Sequence, residues 1–155
     1  MPYPPDKAID GFKSKSSKSY WVTANEQMKN DSVVWQYNFN EPKAITRLTM
    51  RFAYAGTLDT VTVYGKEDCS GKLFDNDDDN KLSRRIRRGI ENIEQGEVDF
   101  SDSEVRFDVE PNKFKAYRCF AVNLTTYEDL PKYVGIREVD FYEGRFEQQY
   151  CTSFI

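Results

Sequence analysis

Short runs in which apolar and polar side chains alternate are the feature that most limits what this chain can fold into. Val33, Trp35, Tyr37 and Phe39 point one way and Val34, Gln36 and Asn38 the other, the period-two signature of a half-buried strand. Pro42 is expected to end that strand, and Leu48, Met50 and Phe52 alternate with Thr49 and Arg51 in the next. Gly56 marks a turn, and Thr60 to Tyr64 form a β-branched strand closed by Gly65. Val105, Phe107 and Val109 alternate with Arg106 and Asp108 until Pro111 stops them. Tyr117 to Leu124 is expected to be a central strand, and Ile136 to Tyr142 the last. No segment keeps a helical period with caps, so the pattern predicts an all-β, antiparallel sandwich. With 155 residues, of which 15% are aromatic, the chain is long enough for one domain with a real core, taken as residues 1–155 with the core at about 7–144.

Between Asp68 and Ser103 the pattern breaks. Asp75 to Asn80 is acidic, Ser83 to Arg88 is basic, and Glu91 to Asp102 is acidic again. The segment at about 75–102 reads as a charged loop insertion, since it is too poor in apolar residues to own a core. Asp75 to Asp79 imitates the start of an EF-hand loop, but Lys81 and Ile86 fall at ligand positions, which excludes that motif. Cys69, Cys119 and Cys151 leave two alternatives open: buried or free thiols, or one disulfide with a spare thiol. The N-terminal residues hold no apolar stretch of signal-peptide length, and no window approaches about 18 apolar residues. The expectation is a soluble chain, either cytoplasmic or a trimmed domain of an extracellular protein.

The absence of histidine removes Ser-His-Asp and Cys-His catalysis and imidazole-liganded zinc. A net charge of −4 gives no reason to expect nucleic acid or an anionic membrane as partner. No carboxylate pair stands out for glycoside hydrolysis, so no enzyme activity is expected.

Three segments in order resemble the discoidin, or coagulation-factor type C, domains and the related galactose-binding-like carbohydrate-binding modules. They are Ala8-Ile9-Asp10-Gly11 with Ser19-Tyr20-Trp21, then Trp35 to Phe39 with Ile45, Leu48 and Met50, and finally Gly135 to Gly144. The likeness spans about Lys7 to Gly144. It implies an eight-stranded jelly-roll β-sandwich with adjacent termini. It also implies ligand binding by loops at one end of the sandwich, and in many relatives a structural calcium. The positions matching the calcium ligands are Asp10, Ser19 and Glu138, whereas Lys13 or Lys15 would serve instead as a cationic neighbour of the two carboxylates.

Sugar recognition needs an aromatic plate and polar groups for the hydroxyls. On the matching loops those residue types are Asn25, Glu26, Arg51, Tyr54 and Tyr127. Trp21 and Trp35 are expected in the core. The leading expectation is therefore a non-catalytic glycan-binding module with a structural calcium, and the alternative is a protein–protein interaction or assembly module of the same fold. Membrane insertion is not expected, because no loop pairs exposed apolar spikes with basic residues.

Overall fold

A computed structural model describes residues 21–22, 33–69, 80–88, 96–126 and 134–144, with the backbone alone for residues 21–22. Its strands are β1 (Trp21–Val22), β2 (Val33–Lys43), β3 (Ile45–Ala53), β4 (Leu58–Lys66), β5 (Lys81–Arg87), β6 (Glu97–Val98), β7 (Val105–Asp108), β8 (Tyr117–Thr126) and β9 (Gly135–Glu143). Two 3-10 turns, Ala55–Thr57 and Pro111–Lys113, are the helical elements among the described residues. A four-stranded sheet has the order β1-β9-β3-β7 and a five-stranded sheet the order β2-β8-β4-β5-β6. Described pairings are antiparallel except β5 with β6. The fold is thus the expected all-β sandwich, with nine described strands in place of eight, two of them only two residues long. The termini, and the expected closeness of the two chain ends, lie outside the described residues.

The alternation read from the sequence becomes the core. From β2, Val33 and Trp35 are buried and Tyr37 and Phe39 pack against the core, while Val34, Gln36 and Asn38 are exposed. Leu48, Met50 and Phe52 of β3 are buried with Val61 and Val63 of β4 and Phe120, Val122 and Leu124 of β8. Burying each such side chain contributes about 1.5–3 kcal/mol. β8 lies between β2 and β4, so the run from Tyr117 is central as expected. β2 continues through Pro42 to Lys43 after a register irregularity, which an edge strand tolerates because a missing N–H there breaks no ladder bond.

Gly65 does not close β4 but lies within it, opposite Phe120. A Cβ at Gly65 would approach Leu82 Cδ1 and Tyr117 Cγ to 2.9 Å. Gly65→Ala is expected to cost about 1–3 kcal/mol in urea unfolding, because neither neighbour can retreat without disturbing the core.

The expectation of a charged loop insertion is corrected. The stretch at 75–102 contributes β5 and β6 to a sheet, within its described residues 80–88 and 96–102. Leu82 is 1% exposed, and Phe100 meets Phe52 edge to face at 5.5 Å between centroids. A few apolar residues and the ladder to β4 suffice, since arginine stems at a sheet edge leave their charged heads in water. Of the two alternatives open for the cysteines, the structure takes the disulfide: Cys69 and Cys119 are bonded, with Cα atoms 5.5 Å apart. It ties the segment after β4 to β8, where the register already sets Lys66 opposite Cys119. Cys151 lies outside the described residues.

Three titratable groups around Tyr117 bear on the fold at alkaline pH. Burial pushes the Tyr117 phenol up, partly opposed by Lys115. Lys43 is raised by its hydrogen bond to Glu41 (3.2 Å) and by Glu143 nearby, and Lys115 by its hydrogen bond to Glu67 (2.6 Å). All three groups hold their protons more tightly in the folded chain than in the unfolded one. Their stabilisation is therefore fully present below about pH 10 and is lost as pH rises through the raised folded values. The urea midpoint is expected to fall above about pH 10, and less steeply in Tyr117→Phe.

Candidate functional site

Strand register decides which loops share a rim. Ala53 of β3 and Val22 of β1 both sit opposite Gly135 of β9. Leu58 of β4 faces Thr126 of β8, Val33 of β2 faces Leu124, and Thr60 faces Ile86 near the end of β5. The chain therefore enters or leaves one rim at Val22, Val33, Ala53, Leu58, Arg87, Thr126 and Gly135. All of these ends except Arg87 flank the connections that carry Asn25, Glu26, Tyr54 and Tyr127. Of the residues predicted there, Asn25, Glu26 and Tyr127 lie outside the described residues, and Arg51 and Tyr54 are placed.

Tyr54 opens the β3–β4 connection. Its backbone is left-handed, with φ 55° and ψ 46°, and its residue is 56% exposed. An aromatic residue in that region costs roughly 1–2 kcal/mol relative to glycine, because Cβ crowds the following carbonyl. The 3-10 turn Ala55–Thr57 follows directly, and Leu58 N–H donates to the Ala55 carbonyl. The left-handed backbone thus sets a large, exposed ring at the rim.

Arg51 lies three residues earlier on β3, half-buried, with Nη2 3.7 Å from Glu104 Oε2. Across the sheet it sits directly opposite Glu138 of β9. Glu138 is 3% exposed, a buried carboxylate at the position expected for a calcium ligand. The register supplies Arg51 as a cationic cross-strand neighbour, the role the sequence reading gave to Lys13 or Lys15. Asp10 and Ser19, with Lys13 and Lys15, lie outside the described residues. No group of three His, Cys, Asp or Glu side chains suited to a metal gathers among the described residues.

Beside Gly56 the rim opens into a cavity of about 390 Å³. It is lined by Ala55, Gly56, Arg87, Arg88 and residues 98–101. Of these, Val98 and Phe100 are buried. Asp99 Oδ1 accepts hydrogen bonds from the Ser101 N–H (2.9 Å) and hydroxyl (2.6 Å), and Asp102 N–H donates to the Asp99 carbonyl (3.1 Å). These bonds set the shape of the loop without a helix or strand. Arg87, Arg88 and Ser101 are hidden in sequence by the charged composition of their segment. The signal that would have found them is the spacing of Leu82 and Ile86, which marks a strand ending at this rim. No described helix is long and apolar enough to cross a membrane.

No protein-family model and no curated protein matches the sequence. Solved structures do resemble the fold. A GH29 fucosidase of Ruminococcus gnavus, in complex with fucose, aligns with a TM-score of 0.61 at 13% identity, over 92% of this chain but only 22% of the fucosidase chain. A chitosan-binding module from a chitosanase/glucanase of Paenibacillus sp. IK-5 aligns at 0.60 and 14% identity, over 92% of this chain and 86% of the module. CBM32-1, from a family 31 glycoside hydrolase of Clostridium perfringens, aligns at 0.60 and 17% identity, over 92% and 87%. The chain has the galactose-binding-like β-sandwich fold, and two of these three matches span nearly the whole of a separate module.

Proposed function

We propose that this chain is a non-catalytic binding module that recognises a glycan through the loops at the Tyr54 rim. The observation that carries the reading is Tyr54 itself, an exposed ring held at that rim by a left-handed backbone and set beside an open cavity. An aromatic plate stacks on the apolar face of a sugar, and neighbouring polar groups address its hydroxyls. Arg51 is the described polar candidate, and Asn25, Glu26 and Tyr127 belong to the same set by their place in the chain. Support also comes from the similar structures, among them a fucosidase in complex with fucose and a chitosan-binding module. The Cys69–Cys119 disulfide suits work in an oxidising compartment, where most glycans are displayed.

To this reading we attach a structural calcium. Asp10 and Glu138 would supply carboxylate oxygens and Ser19 a further oxygen, and the ion would brace the fold without entering any chemistry.

A glycan array followed by calorimetry on any hit tests the proposal. Tyr54→Gly removes the ring and relieves the backbone, so the melting temperature is expected to hold or rise while affinity falls at least about tenfold. Undiminished affinity in Tyr54→Gly removes the assigned role, and a module that binds no glycan but copurifies with a stoichiometric protein supports the assembly reading instead. Melting in calcium and in chelator, for wild type and Glu138→Gln, decides the brace: a melting temperature indifferent to both leaves no calcium to propose.

A further inference from the structure

A second opening lies on the flank of the sandwich and shares no residue with the rim cavity beside Gly56. It measures about 420 Å³, within the range of small-ligand sites, roughly 300–1,000 Å³. Ser83, Arg84, Arg85, Gly96, Asp108 and Glu110 line it, between β5 and the end of β7. Two backbone bonds set its walls: Glu110 N–H donates to the Leu82 carbonyl (3.4 Å) and Ile86 N–H to the Gly96 carbonyl (3.2 Å). Arg85 stands opposite the buried Val61, so it shares the face of the sheet that turns to the core. Its half-buried side chain has no hydrogen bond and no ion pair among the described residues. Nε is buried without a partner, whereas the terminal nitrogens are not buried. The Ser83 hydroxyl and the exposed Glu110 carboxylate also have no partner among the described residues. Asp108 is committed instead: Arg106 Nε donates to both its oxygens at 2.9 Å, and Arg47 Nε lies 3.7 Å from Oδ1.

We infer that this flank cavity is a second saccharide subsite, taking a neutral sugar unit whose hydroxyls accept from Arg85, donate to Glu110 and bridge to Ser83. The inference rests on the glycan-binding reading and adds a place and a ligand class to it. The lining charges cancel, two guanidinium groups against two carboxylates, so an ion of either sign gains nothing over a neutral molecule. Arg85 and Glu110 line one cavity without forming an ion pair, which leaves a donor group and an acceptor group for one ligand. Guanidinium only donates and carboxylate only accepts, whereas a hydroxyl does both and so suits each. Hydrogen bonds to charged groups contribute about 1.5–3 kcal/mol each. With no aromatic plate in its lining, the subsite grips weakly alone and serves as a second contact along a polysaccharide held at the Tyr54 rim.

The test is an amide NMR titration with neutral galacto-, gluco- and manno-oligosaccharides, with oligogalacturonate as the anionic arm and a chitosan oligosaccharide as the cationic one. The proteins are wild type, Tyr54→Gly, Arg85→Gln and Glu110→Ala. Glu110 is exposed, so its truncation leaves the fold intact even if Arg85→Gln does not, and melting checks both. At least one neutral sugar is expected to shift the amides of Ser83, Arg85, Gly96 and Glu110, in Tyr54→Gly as in wild type. Arg85→Gln and Glu110→Ala should each weaken that response at least about tenfold, while the Gly56 amide at the rim still responds. Because the ligand is uncharged, the change in net charge does not by itself account for such a loss. Flank amides that stay still while rim amides move overturn the inference, as does tighter flank binding of either charged sugar. An undiminished flank response in the folded variants overturns it too, and all three results leave glycan binding at the rim standing. Amides that stay still everywhere with all five sugars, together with an empty glycan array, remove both.

Discussion

Replacing Cys69 and Cys119 by alanine is expected to lower the unfolding free energy by about 4 kcal/mol. The bridge closes a loop with a sequence separation of 50, and chain-entropy arguments assign a loop of that length about 4 kcal/mol of destabilisation of the unfolded state. Cys119 is buried on the central strand β8, so alanine also leaves a small void there. In urea the midpoint should fall by roughly 1–3 M, and reductant should lower the wild-type midpoint without moving that of the double variant. Peptide mapping without reduction should recover Cys69 joined to Cys119. Finding both thiols free in the native protein, or a midpoint indifferent to reductant, would contradict the pairing.

Phe120→Ala is expected to cost about 3–5 kcal/mol, as truncation of a large buried ring does when its surroundings relax only in part. Phe120 is fully buried on β8. Its ring centroid is 5.7 Å from that of Phe39 at 90°, 6.1 Å from Tyr117 at 80° and 5.5 Å from Phe141. Edge-to-face pairs of this kind add about 0.5–1.5 kcal/mol each beyond the area they bury. Phe120→Leu keeps most of the volume and should cost less than half as much, whereas equal losses would mean that the rings contribute area alone. A double-mutant cycle with Phe39→Ala should show coupling, because the two rings touch across the paired strands β2 and β8.

The strands of the core were legible because each hides one face, and a period of two records which residues face inward. β2, β3, β4, β7, β8 and β9 all carry that record. β5 did not show itself, since Leu82 is the only fully buried residue among its arginines, and a sheet edge leaves long charged side chains free to reach water. Of the site, Arg51 and Tyr54 were nameable in advance as the polar and aromatic residues near a turn. The left-handed backbone at Tyr54 was not, because an aromatic residue has no preference for it and the conformation is imposed by the connection between β3 and β4.

By itself the sequence determined that the chain makes a β-sandwich, where its main strands fall and which side chains fill the space between the sheets. These follow from local alternation and from the cost of exposing apolar surface. Only the tertiary structure decided that Cys69 meets Cys119, that Arg51 stands opposite Glu138, and that Gly56, Arg88 and Ser101 surround one cavity. Each of these joins residues far apart in the chain, and their meeting depends on strand order and register, which short-range periodicity does not encode.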